Sequence, residues 1–209
     1  MEKKFEFIDE VNIFGHKRIR ALRDIPLHNV KAGDLGGFLE SEKNLSHSGD
    51  CWVSDNANVS GRAFVSDNAT VYDNAKVYGN ASVYGNASVY GNAIVYDNAE
   101  VYGNAIVYDN AYIYGDASVY GDATVYDNAF VSGNTFVTKN PIVIDGLNFP
   151  VIITDNHMQI GCEIHTFEDW NNFTDKDILK MDGKAALNFW NENKNQLLEN
   201  CYEHPKNNP

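Results

Sequence analysis

The sequence predicts a mainly β protein: a single-stranded, left-handed parallel β-helix of hexapeptide repeats, with an N-terminal β-hairpin cap and a C-terminal β-hairpin plus α-helical segment. Three observations carry this reading. Alanine recurs every six positions from Ala57 to Ala129. An aliphatic residue recurs with the same period from Val53 to Val143, sixteen positions without an insertion. Turn pairs (Gly-Asn, Asp-Asn, Gly-Asp) stand between them at nearly every step. Self-similarity at a fixed short period marks a solenoid, in which each repeat buries its apolar side only against its neighbours.

The periodic series divides the chain into three parts: residues 1–50 as cap and irregular first coil, 51–145 as the hexapeptide-repeat rod, and 146–209 as the C-terminal hairpin and helices. Within 3–23, Phe5-Glu-Phe-Ile, a turn near Asp9-Glu10, and Val11-Asn-Ile-Phe with Arg18-Ile-Arg-Ala-Leu read as a hairpin that covers one open end of the helix. Open strand edges template fibres, so such an end needs covering. Gly33-Asp-Leu-Gly-Gly37 reads as a tight turn feeding the first coil, since it lacks the full phosphate-loop pattern. Leu39 and Leu45 keep the six-residue step, and His47-Ser-Gly-Asp50 then inserts two residues before Val53, giving an imperfect first coil.

In each hexad the alanine and the aliphatic residue are two apart, so on an extended strand both point the same way, inward. Glycine, asparagine and aspartate supply the left-handed backbone that a corner demands. Three flat sides close one coil, and coils stack at about 4.8 Å, so the rod is on the order of 25 Å long. Outward positions then stack on residues one full coil away. The first face reads Asn58, Lys76, Ile94, Tyr112, Phe130, with Tyr78, Tyr96 and Tyr114 beside it. The second reads Phe64, Ser82, Glu100, Ser118, Phe136, and the third Trp52, Thr70, Ser88, Ile106, Thr124, Ile142. From Tyr72 to Tyr126 a tyrosine follows every aliphatic residue, so each face carries a tyrosine ladder. Aromatic ladders stabilise neighbouring strands by packing. The patch of Ile94, Tyr96, Tyr112, Tyr114 and Phe130 is apolar as well as aromatic, and exposed apolar patches mark contact surfaces. It is the candidate interaction surface, to be met by a second copy of the chain (a homotrimer or homodimer), by the C-terminal segment, or by a partner.

One corner stacks Asp55, Asp73, Gly91, Asp109, Asp127 and Asp145. Carboxylates one strand apart repel, which makes this an acidic edge that is solvated, neutralised by cations, or matched to a basic partner.

After Val143 the hexad decays through Asp145-Gly and Pro150. Val151-Ile-Ile-Thr and His157-Met-Gln-Ile-Gly-Cys-Glu-Ile flank Asp155-Asn156 as a hairpin. Thr174 with Asp177 forms a capping box opening a short helix to Met181. Leu187, Trp190, Leu197 and Cys201 recur at helical spacing, so 184–201 reads as an amphipathic helix packed on its own domain. Residues 203–209 read as frayed.

Net charge is −13 over 209 residues, and it is uneven: nine acids to eight bases in 1–50, ten to three in 51–145, and ten to five in 146–209. An acidic rod repels phosphate backbones, which argues against direct nucleic-acid binding and for a partner with a basic surface. No apolar run is long enough to span a membrane, and MEKKFEFIDEVNIF lacks the apolar core of a secretory leader, so a cytoplasmic location is expected. Cys51, Cys162 and Cys201 have no metal-ligand spacing and read as reduced thiols.

Arg18-Ile-Arg-Ala-Leu-Arg-Asp, Gly33-Asp-Leu-Gly-Gly, Gly49-Asp-Cys-Trp-Val, Ile160-Gly-Cys and His165-Thr-Phe-Glu-Asp-Trp, together with the hexads, resemble the bacterial hexapeptide-repeat superfamily, whose best-known members are acyltransferases. The closer resemblance is to small phage and prophage proteins of that type, and it covers most of the chain. It implies host cytoplasm as the location, and it leaves activity open, because a fold does not define a function. Acyltransferases of this fold use a coil histidine beside a long loop. Here no histidine lies between His47 and His157, and no loop interrupts the coils. The three-histidine zinc site of the carbonic-anhydrase branch is absent too. No nucleophile elbow, phosphate loop or metal motif occurs. The expectation is therefore a non-catalytic, phage-type binding or scaffold protein without cofactor or metal, whose sharper form inhibits a host protein or defence system. The alternatives are an acyltransferase-like enzyme using His47, His157 or His165, and a structural virion component.

Overall fold

The computed structural model describes the backbone of residues 3–207 and the side chains of residues 3–204. The chain forms two compact units, one ending at Asn134 and the other beginning at Thr135.

The first unit is a three-sided parallel β-solenoid. Each hexad yields a strand of two residues whose second member is buried, as in Ser88–Val89, Ile94–Val95 and Glu100–Val101. Each side pairs with the same side one coil on: Ser88 with Ile106, Ile94 with Tyr112, Glu100 with Ser118. The backbone explains why so short a strand suffices. Ile94, Tyr96 and Asn98 donate their N–H groups to the carbonyls of Ala111, Ile113 and Gly115 at 2.9, 3.0 and 2.9 Å, and Ala99 donates to Tyr96 at 3.3 Å across the corner. These corner amides are thus paired along with the strand amides, as buried backbone requires. The alanines from Ala57 to Ala129 are all fully buried, as are Val53 to Val125 in the aliphatic series. Each such methyl or methylene contributes roughly 0.8 kcal/mol of burial.

The cap is a hairpin, Phe5–Val11 against Lys17–Ala21, and a third strand, Leu35–Leu39, pairs antiparallel with Lys17–Ala21 and parallel with Asn58–Val59. One sheet therefore passes from antiparallel cap to parallel solenoid. The hairpin turn lies later than the sequence suggested, at Asn12–His16 and not Asp9-Glu10. Asn12 Oδ1 accepts the N–H groups of Phe14 and His16 and closes the loop, and Gly15 supplies the positive φ. Gly33 sits in a turn with φ +97°, but Gly36 and Gly37 belong to the third strand. A Cβ on Gly36 would stand 2.6 Å from Ile19 and 2.7 Å from the Val53 carbonyl, and one on Gly37 2.6 Å from the Ala57 carbonyl. These glycines permit a close approach and do not make a turn. The same cap buries two outward positions, Trp52 and Asn58, so neither belongs to an open face. The irregular first coil is present: Leu45 bridges Val65 in parallel after a single 3-10 turn at Glu42–Asn44.

The second unit holds a four-stranded antiparallel meander, Ile142–Ile144, Val151–Ile153, His157–Ile160 and Glu163–Thr166. The expected hairpin is there, extended by one strand on each side. Gly161-Cys162 forms a turn and splits the apolar run that the sequence suggested was one strand. Val143, the last aliphatic residue of the periodic series, pairs antiparallel with Ile152. Pro141 stands where the coils place an alanine and cannot make that alanine's corner N–H bond. A short helix, Phe167–Asn172, missed in the sequence, opens on a Thr166/Asp169 capping box. The Thr174/Asp177 box opens the last helix, Asp175–Asn207, which breaks at Asp182-Gly183. Trp170, Trp190, Leu197 and Cys201 are buried with Val151, Ile153 and Met158, and the Trp170 indole N–H donates to the Met158 carbonyl at 2.6 Å. The helix does not fray at 203: it runs to Asn207, and His204 is buried and donates to the Asn140 carbonyl. Residues 208–209 lie outside the described residues.

Candidate functional site

Tyrosine after each inward valine puts its ring at the end of a two-residue strand, and the coil repeat then superposes the rings. Three ladders result. Tyr72, Tyr90, Tyr108 and Tyr126 stack at 4.6, 5.0 and 5.5 Å. Tyr78, Tyr96 and Tyr114 stack at 5.1 Å at both steps, and Tyr84, Tyr102 and Tyr120 at 4.8 and 4.9 Å with planes within 4°. Parallel rings at this spacing form a ribbed, stiff surface in which each interior ring contacts two others. Packing into the ladders holds several of these phenols above the usual range, Tyr72 and Tyr84 most of all. Burial among neighbouring rings, then Tyr90 and Asp73, pushes Tyr72 up to about 12. Burial, then Glu100, whose carboxylate accepts the Tyr84 hydroxyl, does the same for Tyr84.

On the first face the five sequence-derived residues come together. Ile94 is paired with Tyr112 and Tyr112 with Phe130, whose rings stack at 4.9 Å, while Tyr96 and Tyr114 form the adjoining ladder. Phe130 is 39% exposed and the other four are half-buried. At its upper end the face meets the hairpin tip of the cap. His16 Nδ1 lies 2.7 Å from Asn58 Oδ1, and the Lys76 ammonium sits 6.0 Å over the Phe14 ring. Phe14, His16, Ser60, Lys76, Tyr78 and Ile94 line a recess of about 270 Å³ there. The face is thus a largely apolar recess carrying the Lys76 ammonium, leading onto a half-exposed aromatic plane. Sequence periodicity gives no account of the recess, because Phe14 and His16 lie outside the repeat.

The acidic corner is built differently from the simple repulsive stack. Asp55, Asp73, Asp109 and Asp127 all have left-handed backbones, φ +54° to +58°. Asp55 Oδ2 accepts the N–H of Asp73 at 3.3 Å, and Asp73 Oδ2 accepts that of Gly91 at 3.2 Å. Asp67 and Asp97 do the same toward Gly85 and Gly115 at the other corners. Each of these four carboxylates brackets the coil above it, reaching an amide eighteen residues further along the chain. Asp145 stands in the second unit, outside this left-handed series. Asparagines beside the corners chain with the donors reversed: Asn68 Nδ2 donates to Asn86 Oδ1 and Asn86 Nδ2 to Asn104 Oδ1, at 3.0 Å each.

The three histidines named for the enzymatic alternative have separate surroundings. His47 stacks on Phe5 at 4.5 Å, accepts the Lys4 N–H at Nδ1, and places Nε2 3.0 Å from Glu42. His157 and His165 lie on neighbouring strands. Burial lowers the affinity of His157 for a proton, Asp169 raises it, and the nearby His165 lowers it again. His165 Nε2 lies 3.1 Å from Glu163, and its ring stands edge-on to Trp170 and Phe173. Among the described residues no three His, Cys, Asp or Glu side chains converge as a metal site would require. No described helix is long and apolar enough to cross a membrane.

The family model described as the YdcK beta solenoid repeat matches residues 63–79, close to one coil of the first unit. No curated protein matches the chain significantly. The matched coil and the constant one-coil register agree on one identity: the chain is a β-solenoid repeat protein.

Proposed function

We propose that this solenoid is a non-catalytic binding protein of the phage type, and that its first face, Ile94, Tyr96, Tyr112, Tyr114 and Phe130, docks a protein partner in the host cytoplasm. The observation that carries the reading is the stacked, half-exposed aromatic plane of that face. Its rings are already ordered by one another, so docking costs little side-chain entropy, and tyrosine-rich surfaces supply large contact area per immobilised torsion. The corners bordering the face carry aspartates, and the net charge of −13 steers toward a basic partner surface. Inhibition of a host protein by occupying such a surface is the sharper form of the reading.

The test is capture from host cytosolic extract with tagged protein, followed by native mass spectrometry. The expected result is a stoichiometric complex that Ile94→Asp and Phe130→Asp each weaken by at least tenfold, while His47→Ala, His157→Ala and His165→Ala leave it intact. Retention of the partner by both face variants, or recovery of the protein with a bound acyl-coenzyme donor and no partner, would contradict it.

A further inference from the structure

Lys4 is fully buried, an environment that a lysine side chain rarely occupies without a carboxylate. Its backbone is fixed on both sides: Lys4 N–H donates to His47 Nδ1 at 3.1 Å, and the Lys4 carbonyl accepts from Leu22 at 2.8 Å. The side chain runs inward and ends on one residue, Cys51, itself fully buried. Nζ lies 2.7 Å from the Cys51 carbonyl and 2.9 Å from Cys51 Sγ. Among the described residues no carboxylate pairs with this ammonium; Asp50, the nearest acid acting on it, bonds Arg23 instead. Burial lowers the Lys4 pKa and raises that of the Cys51 thiol, so both shifts favour the neutral pair of amine and thiol. A neutral amine 2.9 Å from the thiol can take up its proton, which supplies the thiolate that an oxidant attacks.

We propose that Lys4 and Cys51 form a modification site, at which mild peroxide oxidation joins the lysine nitrogen to the cysteine sulfur through one bridging oxygen. The gap between Nζ and Sγ is one that a single oxygen atom spans without moving the cap strand or the coil. The chemistry balances with two equivalents of hydrogen peroxide. The first converts the Cys51 thiol to a sulfenic acid and releases one water. The second converts the Lys4 amine to a hydroxylamine and releases another. The hydroxylamine oxygen then attacks the sulfenyl sulfur, forming the S–O bond and expelling the sulfenic hydroxyl as a third water. One S–H and one N–H bond are replaced by S–O and O–N bonds, two peroxide molecules are reduced, and sulfur and nitrogen are oxidised. Thiol reductant reverses the step and restores amine and thiol. Peroxide is small enough to arrive by local opening of the cap. The link joins residues 47 positions apart, tying the residue that precedes the first cap strand to the one that precedes the Trp52–Val53 strand of the solenoid.

The test uses the full chain carrying Cys162→Ser, which removes the exposed thiol. After peroxide treatment, peptide mass analysis is expected to show the Lys4 and Cys51 peptides joined, heavier by one oxygen and lighter by two hydrogens than their sum. Reductant is expected to separate them, and the linked protein to melt several degrees higher than the reduced one. Lys4→Met and Cys51→Ser, each read separately, abolish the joined species. Should either variant fold poorly, the joined peptide in the Cys162→Ser chain decides the matter alone. Cys51 recovered with added oxygens but unjoined, a directly bonded species lacking the oxygen, or an unmodified Cys51 would each overturn the proposal.

Discussion

A Cβ placed on Gly103 would stand 2.9 Å from the amide nitrogen of Gly121, the corner residue one coil further on. Gly103 has φ +73°, so its freedom serves two demands at once: a left-handed corner and a backbone passing directly above. Gly133 has a similar φ, +65°, but nothing within 4 Å of its would-be Cβ. Gly133→Ala is therefore expected to cost only the left-handed penalty, about 1–2 kcal/mol. Gly103→Ala should cost clearly more, because the coil above must shift. Urea unfolding of the two variants measures the difference, and equal losses would show that corner stacking is looser than described.

The ladders predict an end effect. Tyr102 stacks on both Tyr84 and Tyr120, whereas Tyr126 stacks on Tyr108 alone. At about 0.5–1.5 kcal/mol per aromatic pair, Tyr102→Ala should destabilise by roughly twice as much as Tyr126→Ala. Tyr102→Phe keeps the ring and should be nearly silent. Thermal or urea unfolding of the three variants decides it.

The phenols also predict an alkaline limit. Tyr72 and Tyr84 hold their protons to about 12 in the folded chain, against about 10 for an unfolded tyrosine. Above pH 10 the unfolded state ionises first, so it releases protons that the folded state retains, and the balance moves toward unfolding. Their contribution is thus complete below pH 10 and is lost as pH rises from about 10 to 12. Tyr72→Phe and Tyr84→Phe should each flatten that loss, read as the melting midpoint followed through the alkaline range. Tyrosinate absorbance should show these two groups titrating late.

Much of this was legible in the sequence because a repeat states the same fact many times. The one-coil register, the buried alanine and valine series and all three ladders follow from a six-residue period that any single hexad would express weakly. The same logic fails where residues act once. Gly36 and Gly37 look like turn residues, since close approach and tight turns both demand glycine. Trp52 and Asn58 sit at outward positions by periodicity and are buried because the cap lies over them, a long-range fact. Phe14 and His16 reach the first face from a hairpin whose turn is set by the Asn12 side chain, not by the more obvious Asp9-Glu10. The aspartate brackets are hidden for another reason: spacing reveals where charges stack, but not the backbone N–H that Asp55, Asp67, Asp73 and Asp97 each reach one coil on. Lys4 and Cys51 are 47 positions apart, and nothing local announces their meeting.

The central claim is that the first face, and not its two sister faces, meets the partner. Placing a photoreactive phenylalanine analogue at position 112, and in parallel at position 118 on the second face and 124 on the third, tests this most directly. Irradiation in host cytosolic extract is predicted to yield one discrete adduct from position 112 and little or none from the other two. Equal adducts from all three faces, or adducts only from 118 or 124, would contradict the account.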